Sequence, residues 1–326
     1  MAKPSTFSIR IQVRDLSEQR RGKVFCVGLA IQDTIFSVDE IPREPVKIYA
    51  RARREVGGGP AATAAVAIAR LGGRAAIAAR IGADATGNAI TDELCAEGID
   101  TTWLRAFDDN RSPGAVILVD RHGERLIVAY VDPDTPTEAD WLRPETLGGA
   151  LLCDLSWPHG ALACLQQAKR EGIPSVLDAE ITRHPRELVE PIIAGCDHVV
   201  FSRPGLAQFT GTDSIEEGLN RARRPGHKVV GVTDGADGLY WLDGDALRNV
   251  RPPRVEVVDT VGAGDAFHGA FALALSHGRP LAETIRFANS VAALKCTVPG
   301  GRAGLPTPQA LQRFDPELDL NWIAAR

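Results

Sequence analysis

From Lys23 onward the apolar and polar positions fall into segments with two distinct periods. Lys23–Ala30 is a continuous apolar run and predicts a buried strand, whereas Ile35–Ile41 and Lys47–Val56 alternate as half-exposed strands do. Pro60–Leu71 predicts an Ala-rich helix closed by Gly72-Gly73, followed by a strand at Arg74–Arg80 and a helix at Thr86–Glu97 that stops at Gly98. Ala115–Val119 and Arg125–Val131 predict a hairpin around Asp120-Arg121-His122-Gly123. Strands at Ala150–Leu155, Ser175–Asp178, His198–Ser202 and Val229–Thr233 then alternate with helices near Gly160–Glu171, Arg186–Ala194 and Leu206–Phe209. A hairpin at Leu239–Arg248 and a strand at Arg254–Val257 precede helices at Ala263–Ser276 and Leu281–Lys295. This alternation implies an α/β fold with a doubly wound, parallel central sheet and helices on both faces. The early alternating strands and the hairpin break the rhythm. They are expected to form a small β-sheet inserted into the body, from about 34–56 and 112–131. Residues 1–22 are polar and read as a flexible N-terminal extension before a domain at 23–326, although Phe7–Val13 alternates weakly enough to allow a strand.

Composition narrows the class. The chain has 326 residues, 44% hydrophobic and 24% charged, enough to bury a large core without disulfides or a structural metal. A net charge of −5 argues against a nucleic-acid partner while leaving room for a local basic pocket. None of the 6 cysteines has Cys-x-x-Cys spacing, and most lie in apolar surroundings, so buried free thiols are expected rather than a zinc site. With no apolar run long enough to span a membrane and no apolar leader, the chain reads as cytoplasmic.

Three segments carry chemistry. Val258-Asp259-Thr260-Val261-Gly262-Ala263-Gly264-Asp265-Ala266-Phe267 follows a predicted strand and opens a helix. Its glycines allow a tight turn, and free N–H groups at a helix start favour phosphate. A carboxylate in that first turn would repel a resting phosphate, but it is well placed to take a proton from a hydroxyl attacking one. Alone, Asp265 reads equally as an ordinary acidic residue stabilised by the helix dipole. Glu55-Val56-Gly57-Gly58-Gly59-Pro60-Ala61-Ala62 puts three glycines before a helix: either a close backbone approach to a polar ligand or a flexible turn. Asp33 lies just beyond the first strand, at the end of the sheet where α/β folds bind ligands.

Together these segments resemble the ribokinase-like (PfkB) family of carbohydrate kinases over about Val24 to Pro306. The Gly-Gly stretch with its helix, Arg80-Ile81-Gly82-Ala83-Asp84-x-x-Gly87, and Asp259-Thr260-x-Gly262-Ala263-Gly264-Asp265 carry the resemblance. It implies a sugar kinase using ATP with Mg²⁺. Asp265 would be the general base, and the N–H groups of Gly262, Ala263 and Gly264 the anion hole. Asp33, Gly58, Gly59 and the Thr63 position would face the sugar. Thr233, Gly235, Gly238 and Asn289 would face the nucleotide. The backbone carbonyls of Asp259 and Val261 would hold K⁺ in members that bind it. The inserted sheet would be the family's β-lid, which in many members pairs two subunits into a homodimer; no nucleic-acid or membrane partner is implied.

Two departures stand out. The family's Asn-x-x-Glu before Thr210-Gly211 is replaced by Ser202 and Gly205, and an Asn that contacts sugar in ribokinases is replaced by Thr63. Three stretches look most like the 6-deoxy-6-sulfofructose kinases: Val56–Ala65, Phe201–Ala207, and Ala293–Thr297 with Pro299–Gly304. In that branch transfer would be to the C1 hydroxyl. Lys47 aligns with its sulfonate-contacting lysine, with Asn110 and Arg111 as further candidates. A kinase for another ketose, a sugar phosphate or a ribose-like sugar stays open. So does a sugar sensor descended from a kinase, a reading that the missing Asn-x-x-Glu favours and the retained Asp265 opposes. A nicotinamide dehydrogenase would need Gly-x-Gly-x-x-Gly after the first strand, and a P-loop kinase Gly-x-x-x-x-Gly-Lys-Ser/Thr; neither motif is present.

Overall fold

The structure, a computed structural model, describes residues 18, 20–122 and 124–324, so the weak alternation at Phe7–Val13 lies outside it. Its body is a nine-stranded sheet in the order β13-β12-β11-β10-β9-β8-β1-β4-β5. The strands are β1 (Lys23–Val27), β4 (Arg74–Gly82), β5 (Asp100–Phe107), β8 (Ala150–Asp154), β9 (Ser175–Ala179), β10 (His198–Ser202), β11 (Val229–Thr233), β12 (Leu239–Asp243) and β13 (Ala246–Val250). Strands β5 through β11 run parallel, and β12 and β13 close one edge antiparallel. Side chains alternate across this sheet as the pleat requires. Val24 and Cys26 enter one core with Ile77 and Leu152, whereas Phe25 and Val27 enter the other with Leu151 and Leu177. The first core is roofed by α1 (Pro60–Arg70), α2 (Ala85–Ala96), α7 (Ala263–Ser276) and α8 (Leu281–Lys295). The second is roofed by α3 (Pro158–Glu171), α4 (Arg186–Gly195), α5 (Arg203–Thr210) and α6 (Ile215–Ala222). The doubly wound expectation is met. All six cysteines are free, but Cys95 is exposed, which corrects its reading as buried.

A separate four-stranded sheet has the order β3-β2-β6-β7, from β2 (Ile31–Ser37), β3 (Ala52–Gly58), β6 (Gly114–Val119) and β7 (Arg125–Tyr130). Its inner face packs around Ile35, Ala115 and Ile117. The predicted strand at Ile35–Ile41 begins and ends earlier, and the one at Lys47–Val56 is regular only from Ala52. Residues 44–50, exposed and irregular, have no ladder partner. The predicted strand at Arg254–Val257 is likewise irregular, because no neighbouring strand pairs with it.

Two corners fix the small sheet to the body. Buried Asp154, at the end of β8, accepts the N–H groups of Leu29 at 2.9 Å, Ala61 at 3.1 Å and Ser156 at 2.8 Å. It thereby ties the turn after β1 to the start of α1. Gly59 sits at φ 90°, where a Cβ would lie 2.4 Å from the carbonyl oxygen of Leu29, so only glycine fits. At the other corner Asp84 caps α2 through the N–H of Gly87 at 2.8 Å and takes the Ser112 hydroxyl at 2.6 Å and its N–H at 3.0 Å. The Arg80–Gly87 motif is thus a structural joint just before β6.

Candidate active site

Helix α7 starts at Gly262, which stands in the left-handed region at φ 75°. The first ladder bond runs from the N–H of Ala266 to the carbonyl of Gly262 at 2.9 Å, and the N–H of Ala263 closes a turn on the carbonyl of Thr260 at 3.1 Å. Among the described residues no hydrogen bond takes up the N–H groups of Gly262, Gly264 or Asp265. Two cavities meet at this helix start. One, of about 540 Å³, is lined by Thr233, Gly235, Gly238, Ala263, Gly264 and Asn289 among others. The other, of about 210 Å³, lies under the small sheet and includes Asp33, Gly58, Gly59, Thr63, Gly262 and Asp265 in its lining. One turn of helix therefore borders both cavities, with Gly264 and its unbonded N–H on the first and Gly262 and Asp265 on the second, whereas the Ala263 N–H expected in the anion hole is taken up by Thr260.

Asp265 is half-buried at the floor of the smaller cavity. Burial pushes its carboxyl up to about 8, and the nearby Asp178 adds to the rise while His268 opposes it. Solvent or a polar ligand in the cavity moderates that rise, since the side chain keeps partial access to it. Asp33 is buried on β2, and its carboxyl is pushed up to about 6, by burial first, with Arg302 opposing and Glu93 adding. Among the described residues its Oδ1 has no hydrogen-bond partner, which marks an acceptor open to a ligand. A Cβ on Gly58 would lie 2.4 Å from Asp33 Oδ2, so glycine is needed for the carboxylate to stand there.

Arginines dominate the rest of this cavity. Arg302 is buried and spans it: Nη2 donates to the carbonyl of Gly58 at 2.8 Å, Nη1 to Glu93 at 3.0 Å, and Nε to the Thr63 hydroxyl at 3.3 Å. Arg125, on β7, donates to Asp259 Oδ1 at 2.6 Å and so latches the small sheet to the loop before α7. Burial opposes ionisation of Asp259, but the N–H groups of Val261 and Gly300, with Lys295 and Arg125, outweigh it and hold the carboxyl below its usual range. Arg54, on β3, lines the same cavity, and no carboxylate pairs with it among the described residues.

The structure gathers most of the sequence-derived site. Asp33, Gly58, Gly59, Thr63, Asp259, Val261, Gly262 and Asp265 surround the smaller cavity, and Thr233, Gly235, Gly238, Asn289, Ala263 and Gly264 the larger. Three residues are not brought in. Lys47 is exposed in the irregular segment before β3, with its ammonium 5.1 Å above the Tyr49 ring. Asn110 and Arg111 instead fix the chain before β6, donating to Asp132 from the Asn110 amide at 3.4 Å and the Arg111 backbone N–H at 2.7 Å. The sequence reading assigned no role to Arg54, nor to Arg125, Arg302 or Lys295, whose partners lie far away along the chain. The motif segment containing Lys295 and Arg302 was the only signal for either. Asp259's carbonyl accepts from Lys295 Nζ at 2.9 Å, so that oxygen is already engaged.

The family model described as pfkB family carbohydrate kinase matches residues 21–308, spanning both cavities. The chain belongs to the pfkB family of carbohydrate kinases. Among its relatives, a fructokinase of Vibrio alginolyticus is 29% identical over 287 residues, covering 79% of this chain and 91% of its own. A ribokinase of Haemophilus influenzae is 28% identical over 268 residues, covering 79% of this chain and 86% of its own. In structure the chain is similar to a candidate ribokinase of Agrobacterium tumefaciens, with a TM-score of 0.82 at 34% identity over 93% of this chain and 99% of that one. As a pfkB-family carbohydrate kinase, the protein is an enzyme that transfers a phosphoryl group to a hydroxyl group of a carbohydrate. These relatives are fructokinases and ribokinases, so they favour the open ketose and ribose readings over the sulfosugar resemblance. No helix among the described residues is long and apolar enough to cross a membrane.

Proposed function

We propose that this carbohydrate kinase transfers the γ-phosphoryl group of ATP to a hydroxyl of a ketose or ribose-like sugar. The observation that carries this reading is the α7 start, where Gly264, with its unbonded N–H, lines the larger cavity and Asp265 lines the smaller. In the reaction Asp265 takes the proton of the attacking hydroxyl. The free N–H groups and the helix dipole stabilise charge on the phosphoryl oxygens as transfer proceeds. Asp33 accepts from sugar hydroxyls through its unpartnered oxygen, Arg302 rigidifies the Gly57–Gly58 wall, and the sheet latched by Arg125 excludes water. Mg²⁺ arriving with the nucleotide would supply charge neutralisation on the transferring phosphates. Among the described residues no group of three His, Cys, Asp or Glu side chains is arranged to hold a metal alone.

A second reading is favoured by Arg54. A guanidinium without an acidic partner at the mouth of a sugar cavity suits an anionic far end, such as the sulfonate of 6-deoxy-6-sulfofructose or a sugar phosphate. In that case Arg54 replaces Lys47 as the group expected to meet the anion. The outer face of the small sheet exposes Val116, Leu126, Val128 and Tyr130, and the proposed homodimer would cover it.

An ADP-release assay across fructose, ribose, fructose 6-phosphate and 6-deoxy-6-sulfofructose tests the reading. Turnover with a neutral ketose or pentose supports the first form. A strong preference for either anionic sugar, lost in Arg54→Ala, supports the second. Sugar binding without turnover across a broad panel would contradict both and return the sensor reading.

A further inference from the structure

Lys295, at the C-terminal end of α8, is fully buried, with a relative exposure of 0%. Its ammonium donates to the backbone carbonyl of Asp259 at 2.9 Å, three residues before the Gly262 turn. The same corner is pinned from the other side, since the carbonyl of Cys296 accepts the N–H groups of Val258 at 2.8 Å and Asp259 at 3.1 Å. The turn after α8 closes over the lysine. A Cβ on Gly304 would stand 2.9 Å from the carbonyl oxygen of Lys295 and 3.4 Å from its Cε, so only glycine lets this turn pack so closely. A buried ammonium is costly unless charge and hydrogen bonding compensate it. Burial lowers the Lys295 pKa from its ordinary value; the Asp259 carboxylate, itself held ionised by Arg125 and two N–H groups, opposes that fall, and the Asp259 carbonyl accepts the ammonium.

The resemblance put a monovalent cation against the carbonyls of Asp259 and Val261. The residues present do not fit one. A second cation beside the Lys295 ammonium would meet a like charge at short range in the protein interior, and it would compete for the Asp259 carbonyl. We infer that Lys295 is a built-in cation: its ammonium fixes the Asp259–Gly262 turn and supplies the positive potential behind the anion-binding N–H groups, so the enzyme works without K⁺. Lys295 lines neither cavity and acts through the loop, as a positioning residue. The inference rests on the kinase reading of the α7 start, but not on which sugar is used.

The test compares K⁺ with tetramethylammonium at matched ionic strength. For the parent enzyme, nucleotide affinity by calorimetry and melting temperature need no sugar, and both are expected to be the same in the two salts. Turnover, with whichever sugar is accepted, should agree within about twofold. A K⁺-specific rise in melting temperature or nucleotide affinity in the parent, or activation by K⁺ of roughly tenfold or more, would overturn the inference. Lys295→Ala should lose roughly 10- to 100-fold in kcat/KM, the scale of a lost charge-assisted hydrogen bond, and should recover in K⁺ or ammonium, which can enter the space left. Lys295→Met keeps the volume filled, so it should lose as much and recover nothing. Equal responses of the two variants to K⁺ would reduce Lys295 to a packing role. Should neither variant fold, the parent comparison decides alone.

Discussion

The two cavities that meet at the start of α7 are built on different principles. The smaller holds Asp33, Arg54, Arg125, Asp259, Asp265 and Arg302, with two carboxyl groups raised by burial. The larger is walled by Pro252, Pro253, Val255, Val257, Phe267 and Ala292, with Glu180, Thr233, Arg254, Thr260 and Asn289 as its polar side chains, and the Asn289 amide already donates to the carbonyl of Val250 at 2.8 Å. The first recognises by charge and directed hydrogen bonds, which discriminate strongly because a missing partner leaves a buried polar group unpaired. The second recognises mainly by shape and apolar contact, which discriminates weakly. On the proposed reading, specificity belongs to the small side, and the large side serves a common co-substrate.

That contrast can be broken. The largest expected effect is from Asp265→Asn, which should cut kcat by about 10²- to 10⁴-fold while leaving nucleotide affinity nearly intact, as read by steady-state kinetics beside calorimetry. A variant within a few-fold of the parent would remove Asp265 from proton transfer. Next, Gly58→Ala forces the Asp33 carboxylate aside and should lower kcat/KM for the sugar by on the order of 10²-fold, with the KM for ATP unchanged. A matching rise in the KM for ATP would show that the two sides are not separable. Asn289→Ala, on the large side, should raise the KM for ATP by only about fivefold, the scale of one neutral hydrogen bond, and leave the sugar untouched.

Acid–base behaviour sharpens the comparison further. A base must be ionised, and burial pushes the Asp265 carboxyl up to about 8. The account expects kcat/KM to climb with pH and level off near there; a profile flat from about pH 6 to 9 would contradict it. The same shift has a stability sign. A carboxyl raised on folding favours the folded state while protonated, and that contribution is lost as pH rises from the unfolded value near 3.8 through the folded one near 8. At pH 8 Asp265→Asn should therefore melt higher than the parent, by on the order of 2 °C, the smallest effect named here. An unchanged or lower melting temperature would mean that solvent in the cavity already relieves the buried carboxylate.

Where chemistry follows local pattern, the sequence was readable. The Gly262–Asp265 turn, the Gly57–Gly59 stretch, and the strands and helices of the parallel body all depend on neighbours within a few residues. Strand β5 was missed because it is the sheet's edge and shows no apolar run, with Asp100, Thr102, Arg105 and Ala106 exposed. Helix α6 was missed because only Gly218, Leu219 and Ala222 are buried in its eight residues. Arg302 was quoted in a motif but given no role, since its partners Gly58 and Thr63 lie 244 and 239 residues away. Lys295 likewise finds the Asp259 carbonyl only after α8 packs beside α7. Lys47 fell out of the site for the opposite reason. An alignment can place a residue in a strand, but here the regular ladder begins only at Ala52.

The most direct measurement is a structure of the protein with its accepted sugar and a non-hydrolysable ATP analogue bound together. The account predicts one sugar hydroxyl about 3 Å from an Asp265 oxygen and in line with the terminal phosphoryl group over the α7 N–H groups. A sugar whose nearest hydroxyl faces another residue, or a phosphoryl group seated away from the Gly262 turn, would contradict it.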